Sequence, residues 1–518
     1  MKIHVFLKNA VVLTVTSLIL RTVGIFFRMF LSAKIGAEGM GLYQLIVSVY
    51  VLCSTFATTG ISTAVTRLVA DESSHGHPRT IRRILRRSVG LSACIGLLTT
   101  VLLYFTAGPI SRYWIQDIRA IPALKIMAFS FPSMGISACV KGYFVGRRKA
   151  ADTSYAQLIE QAVRIAVIVL LIDRFARLGL SIACAAVMIG DTIAEWAACG
   201  YVAIRYFGEQ RKWERSAVQP YSPRRFSVLR QLCQIAVPIT AGRYLNSLLR
   251  TVENLLVPQK IARYTGSGET GLSQFGALKG MALPLIFFPA SFLSAMSTLL
   301  IPEISAANAN HQNNLIHRAI EKSLHITLVA SMLIGSVFTV FAFPLGQLLY
   351  GSRDVGLYLR VLAPLTPIMY LESIVDGILK GLNQQVSSLK YSVVDSSLRI
   401  ALIWLLVPLR GMGAFLFIMV ISNVLTSFLN VHRLLTVTGM SMPWKHSVIQ
   451  PLIAAVVAGA IAVGILKLPF FVTLPTLIYL IVGIGVLCGS YIVLSAMFGC
   501  LYVRDFLLDK CKKKRYDK

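Results

Sequence analysis

Apolar runs of roughly 20 residues, the length that carries a helix across a bilayer, recur from end to end of this chain and are separated by short polar loops. The pattern predicts fourteen helices, at 9–33, 41–66, 88–108, 122–146, 154–173, 179–204, 229–257, 272–301, 322–349, 357–381, 389–409, 412–433, 447–467 and 472–500. The expected fold class is therefore an all-α polytopic membrane protein.

Loop charge alternates along this series. The even-numbered side carries Arg79, Arg82, Arg83, Arg86 and Arg87, then Arg147, Arg148 and Lys149, then Arg211, Lys212, Arg215, Arg224 and Arg225. It ends with Lys510, Lys512, Lys513, Lys514 and Arg515 in the tail. Lys and Arg gather on the cytoplasmic side of membrane proteins, so both termini are expected in the cytoplasm, which requires an even number of crossings.

The chain also repeats itself. At a shift of 235 residues, LKIMAFSFPSMGISACVKGYFVG from Leu124 aligns with LRVLAPLTPIMYLESIVDGILKG from Leu359. Pro132 falls on Pro367, Met134 on Met369, Gly142 on Gly377 and Gly146 on Gly381. Glu160 and Arg164 fall on Asp395 and Arg399, and a shift of 222 puts Arg21 on Arg243 and Arg28 on Arg250. Six helices per half is an even number, so the halves are parallel, an arrangement found in transporters that rock around a central substrate. The expected domains are a lobe over 1–210, a cytoplasmic linker over 211–228, a second lobe over 229–435, two extra helices over 436–500 and a basic cytoplasmic tail over 501–518. The repeated prolines sit in mid-span, where a proline kinks a helix. The G-x-x-x-G steps read first as close helix contacts.

Charges inside apolar spans carry the candidate chemistry. Arg21 and Arg28 are seven residues apart, nearly two turns, and so share a helix face, as do Arg243 and Arg250. A guanidinium is tolerated within the bilayer where it faces a bundle interior or a wet cavity. The four arginines, with Lys279 lacking a local partner, are the expected site for a phosphate- or carboxylate-bearing ligand. Glu160–Arg164 and Asp395–Arg399 have the i,i+4 spacing of ion pairs and read as structural. Glu253, three residues after Arg250, is expected to pair with it. Lys141, near a helix end, is expected to snorkel to the surface. Asp191 and Glu195, one turn apart, are a candidate cation or proton site, with Glu253 as a further candidate.

Composition narrows the classes. With 56% hydrophobic and only 14% charged residues, the chain does not read as a soluble domain. The net charge of +29 lies mostly in loops, so topology and lipid headgroups account for it, and nucleic acid is not an expected partner. The nine cysteines are scattered without a C-x-x-C pair, which indicates neither a zinc site nor a disulfide framework. There is no G-x-x-x-x-G-K-[ST], H-E-x-x-H or G-x-S-x-G motif, so neither an enzyme nor a cofactor is expected.

The stretch ILRTVGIFFRMFLSAKIGAEGMGLYQLIVSVY, with R-x-x-G-x-x-x-R over Arg21–Arg28 and G-A-E-G-M-G-L-Y-Q-L over Gly36–Leu45, resembles the opening of the SpoVB-type polysaccharide-transport proteins. These belong to the multidrug/oligosaccharidyl-lipid/polysaccharide (MOP) exporter superfamily, with the lipid II flippases as relatives. The flippase pattern has its second arginine one position earlier, where this chain has Phe27, and another within the second helix, where this chain has none before Arg67; the SpoVB-like branch fits better. The resemblance implies two parallel lobes around a cationic cavity, with Arg21 and Arg28 holding a lipid-linked pyrophosphate and Arg243 and Arg250 matching by repeat position. It implies export of an undecaprenyl-pyrophosphate-linked peptidoglycan precursor across the cytoplasmic membrane, in spore cortex or wall synthesis. Export of another lipid-linked oligosaccharide is the alternative within transport, and a non-transporting scaffold for cell-wall synthases the alternative outside it. Without an ATP site, the expected driving force is the membrane potential, worth about 2.3 kcal/mol per charge per 100 mV. Na⁺ or H⁺ coupling at Asp191 and Glu195 is the alternative.

Overall fold

Glycines and prolines set where the predicted spans begin, bend and end. The computed structural model describes residues 3–75, 78–214, 228–310, 312–440, 445–468 and 475–500. Most of the linker over 211–228 and the whole basic tail over 501–518 lie outside these residues, as do Arg215, Arg224 and Arg225. The described residues are helical and contain no strand. The continuous helix Ile3–Ser74 is two spans, α1 (3–35) and α2 (37–74), hinged at Gly36 with φ 71°. Positive φ is open to glycine at little cost. The next are α3 (Pro78–Pro109), α4 (Ile121–Ala128 and Phe131–Gly146), α5 (Ala150–Phe175), α6 (Leu180–Glu214) and α7 (Val228–Thr265). Then come α8 (Gly268–Phe275 resuming as Leu283–Ala309), α9 (Asn313–Val340) and α10 (Arg353–Leu362 and Thr366–Gly381). Gln385–Thr438 divides at Gly411 into α11 (385–410) and α12 (412–438), followed by α13 (Gln450–Leu466) and α14 (Thr476–Met497). These match the fourteen predicted spans. Two of the apolar helices long enough to cross a membrane are thus pairs fused at a glycine. α7 falls outside that apolar set; it is the helix that carries Arg243, Arg250 and Glu253.

The internal repeat is written in the backbone as well as the sequence. Gln116 and Gly351 both have φ 60°, and Arg148 and Asn383 have φ 60° and 61°, each pair separated by 235 residues. Residues 117 and 352, again 235 apart, both cap the following helix turn, Asp117 accepting from the Arg119 N–H and Ser352 from that of Val355. The repeated prolines open new helical segments. Pro132 begins the second half of α4 after a 45° break, and Pro367 begins the second half of α10 after a 3₁₀ turn at Ala363–Leu365. A first-turn position suits proline, whose missing N–H has no intrahelical partner there. The carbonyls freed at the α4 break are taken by side chains. Thr100 Oγ1 donates to Ala128 O at 2.7 Å, Trp196 Nε1 to Phe129 O at 3.1 Å and Thr192 Oγ1 to Ile126 O at 3.4 Å. Inside hydrocarbon such substitution is obligatory.

Two compact units emerge, Met1–Gly280 with Ser396–Met412, and Met281–Asp395 with Gly413–Lys518. In the first unit α2 packs against α4, α7 and α8. Gly142 and Gly146 of α4 lie on the α2 backbone at Ser62 and Thr66, so their G-x-x-x-G step is a packing contact. Thr251 Oγ1 donates to Ser48 O at 3.1 Å, and Asn254 Nδ2 donates to Ser48 Oγ at 3.0 Å, tying α7 to α2. A Cβ on Gly276 would meet Ala37 O at 2.0 Å and Gly41 N at 2.4 Å. Both are backbone atoms, which no rotamer change relieves. We therefore expect Gly276→Ala to destabilise the protein by about 1–3 kcal/mol or more, read as a lower denaturation temperature in detergent; an unchanged temperature would contradict this contact. In the second unit α13 and α14 pack on α9 through Leu328, Met332, Ala454, Ala458 and Tyr491, with Phe341 meeting Leu466 and Leu487. His325 is buried there, Nδ1 3.3 Å from Ser447 Oγ and Nε2 2.8 Å from Cys500 O.

Candidate functional site

Two ion-pair networks and the four candidate arginines lie within the first unit. The first network spans α4, α5 and α6. Glu160 Oε1 lies 2.9 Å from Arg164, confirming the predicted i,i+4 pair, and its Oε2 lies 3.5 Å from Lys141 Nζ. Lys141, expected to snorkel, is instead half-buried in an ion pair with the carboxylate of the neighbouring helix. Asp191 Oδ1 lies 2.6 Å from Arg164 Nε, an ion contact whose angle falls outside hydrogen-bond geometry. Arg164 also donates to Gln161 Oε1 at 2.8 Å. Glu195, one turn after Asp191, instead meets the Tyr50 hydroxyl at 3.3 Å.

The second network joins the repeat-related arginine to another helix. Arg399 on α11 donates to Glu253 on α7 at 3.3 and 3.4 Å, and Lys279 Nζ lies 3.5 Å from the same carboxylate. Glu253 is 3% exposed. Two expectations are corrected here. Glu253 does not pair with Arg250, and Lys279 is not without a partner; the acid three residues along α7 points to α8 and α11 rather than back to its neighbour. In the second unit Asp395 accepts a hydrogen bond from the Ser422 hydroxyl.

Among the described residues, no carboxylate lies within ion-pair distance of Arg28, Arg243 or Arg250. Arg28 is half-exposed, and Arg21, Arg243 and Arg250 are exposed along α1 and α7. Tyr43 is within electrostatic reach of Arg28, Arg164 and Asp191, and Lys279 within reach of Arg250 and Arg399. Arg28 and Arg250 occupy corresponding first-helix positions of the two repeats, as Arg164 and Arg399 occupy corresponding fifth-helix positions. Arg164 and Arg399, which the i,i+4 spacing marks as members of structural pairs, also hold acids on other helices, Asp191 and Glu253. Asp191 and Glu253, candidates for an ion site, are both occupied by fixed cations. Among the described residues, no group of three or more His, Cys, Asp or Glu is placed to hold a metal.

A fourteen-helix fold with a parallel repeat and intramembrane arginines defines a transporter class, and the comparisons fit it. Residues 6–307, more than half of the chain, match the family described as polysaccharide biosynthesis protein, and the chain belongs to that family. Residues 245–405 match the MatE family as well. More particularly, the chain is similar to a stage V sporulation protein and to a lipid II flippase. It is 25% identical over 409 residues to stage V sporulation protein B of Bacillus subtilis (strain 168), covering 79% of each. It is 23% identical over 427 residues to the lipid II flippase MurJ of the same organism, covering 75% of this chain and 74% of that one. The solved structure of lipid II flippase MurJ in an inward closed conformation superposes with a TM-score of 0.68 at 14% identity, over 95% of this chain and 99% of that one, which establishes the shared fold.

Proposed function

We propose that this protein moves an undecaprenyl-pyrophosphate-linked peptidoglycan precursor outward across the cytoplasmic membrane, for cortex or wall synthesis, by alternating access. Both termini lie in the cytoplasm on this reading, as the basic even-numbered loops favour. The observation that carries it is the set of intramembrane arginines, Arg28, Arg243 and Arg250, with no carboxylate at ion-pair distance, in a relative of a lipid II flippase. A lipid-linked sugar has a head too polar for hydrocarbon and a tail that stays in lipid. Fixed guanidinium groups bind pyrophosphate oxygens in a bidentate fork, and rocking of the two repeats exposes the head to the other face. Arg21, Arg28, Arg243 and Arg250 are the proposed pyrophosphate ligands, with Lys279 behind them.

Another lipid-linked oligosaccharide is the second reading, favoured by the family's description. Expression in a strain depleted of its lipid II flippase separates the two. Restored growth is the expected result. No rescue there, with rescue of a capsule-export mutant, would move the assignment to the second reading.

A further inference from the structure

The Arg164 network contains one more acid than it can neutralise. The charged and titratable groups around Glu195 are Tyr50 from α2, Lys141 from α4, Glu160 and Arg164 from α5, and Asp191 and Cys199 from α6. Lys141 and Arg164 hold Glu160, and Arg164 also holds Asp191. Three carboxylates therefore face two cations. Glu195 is the one left over: it is 6% exposed and, among the described residues, has no lysine or arginine nitrogen at ion-pair distance. An ionised carboxylate buried without a counter-charge is costly, so the site calls for one further positive charge. A metal ion would need several oxygen ligands arranged around it. A proton needs one.

The surroundings of Glu195 accommodate a proton in both of its states. The Tyr50 hydroxyl carries a single proton and lies 3.3 Å from Glu195 Oε1 and 3.0 Å from Met134 Sδ, with the Ser130 hydroxyl also within hydrogen-bond reach. With Glu195 ionised, Tyr50 donates to the carboxylate. With Glu195 protonated, the acid donates to the Tyr50 oxygen and Tyr50 donates to Met134 instead. The relay also lies on the break in α4. The Tyr50 ring is 5.8 Å from that of Phe131, and Trp196, next to Glu195, holds the Phe129 carbonyl at 3.1 Å. A helix break is where a small local change becomes a bend.

We propose that Glu195 is a reversible proton-binding site built onto the break of α4, and that it couples this protein's transport to proton movement. The coupling half of this statement rests on the transporter reading above; proton binding itself does not. The test is infrared difference spectroscopy of the full chain in proteoliposomes, titrated in pH with no substrate present, so that its failure is separate from any failure of the flippase assignment. The expected result is a carbonyl-stretch band of a protonated carboxyl that appears on acidification, is absent in Glu195→Gln, and is unchanged by adding Na⁺ at fixed pH. Should Glu195→Gln not insert, Tyr50→Phe serves: the band should persist and shift in frequency, because the acid has lost its hydrogen-bond partner. No titrating band, a band that survives in Glu195→Gln, a band unmoved by Tyr50→Phe, or a band abolished by Na⁺ would each overturn the proposal, the last in favour of a sodium site.

Discussion

Removing Arg28 and Arg250 together should abolish transport while leaving the protein in the membrane at normal abundance. Neither guanidinium has a carboxylate at ion-pair distance among the described residues, so truncation leaves no buried acid behind. Their loss should therefore cost little stability. A hydrogen bond to a charged group contributes about 1.5–3 kcal/mol, or roughly tenfold to a hundredfold per arginine, so Arg28→Ala with Arg250→Ala should lower flipping at least about a hundredfold. Lysine at the same positions keeps the charge but loses the planar fork, and should restore only part of the rate. The measurement is translocation of a labelled lipid-linked substrate in proteoliposomes, beside immunoblots of membrane fractions. Full transport with both arginines gone, together with loss of function when the basic cytoplasmic loops are altered, would instead support a scaffold for cell-wall synthases.

Helix number and the parallel repeat were legible in the sequence because they rest on local signals. Hydrophobic length fixes a span, and a repeated proline or glycine fixes a turn. The repeat even extends to residues that no pattern marks, such as Gln116 and Gly351 or Arg148 and Asn383, which share positive φ at the 235-residue spacing. Pairing between helices was not legible. Periodicity offers Arg399 only the acid on its own helix, Asp395, yet Arg399 also reaches Glu253, 146 positions away. Helical spacing alone likewise treats Asp191 and Glu195 as equivalent. Arg164, on the neighbouring helix, takes Asp191 at 2.6 Å and leaves Glu195 to a tyrosine. Which of two acids one turn apart gains a cation depends on which helix lies alongside. The local pair Glu160–Arg164 has a geometry that the helix itself dictates.

Replacing Glu253 by leucine should be among the most destabilising single changes in the molecule. Its carboxylate is buried and is shared by Lys279 and Arg399, whose side chains are 21% and 19% exposed. Taking it away leaves two largely desolvated cations facing each other, one on α8 and one on α11, without the group that holds them. Breaking a buried ion pair from one side costs about 3–5 kcal/mol, far more than the loss of an exposed pair such as Lys34–Asp173, whose acid is 59% exposed and which is worth about 0–1 kcal/mol. The expected result is a much lower denaturation temperature in detergent and reduced membrane abundance for Glu253→Leu, with little change for Asp173→Ala. The triple variant Glu253→Leu, Lys279→Leu, Arg399→Leu should recover most of the loss, since apolar side chains of similar volume can replace a complete buried ion set at little cost. If the single variant were as stable as the parent, Glu253 would not be the counter-charge of these two cations. If the triple variant were no better than the single one, the loss would come from packing at α7 and not from charge.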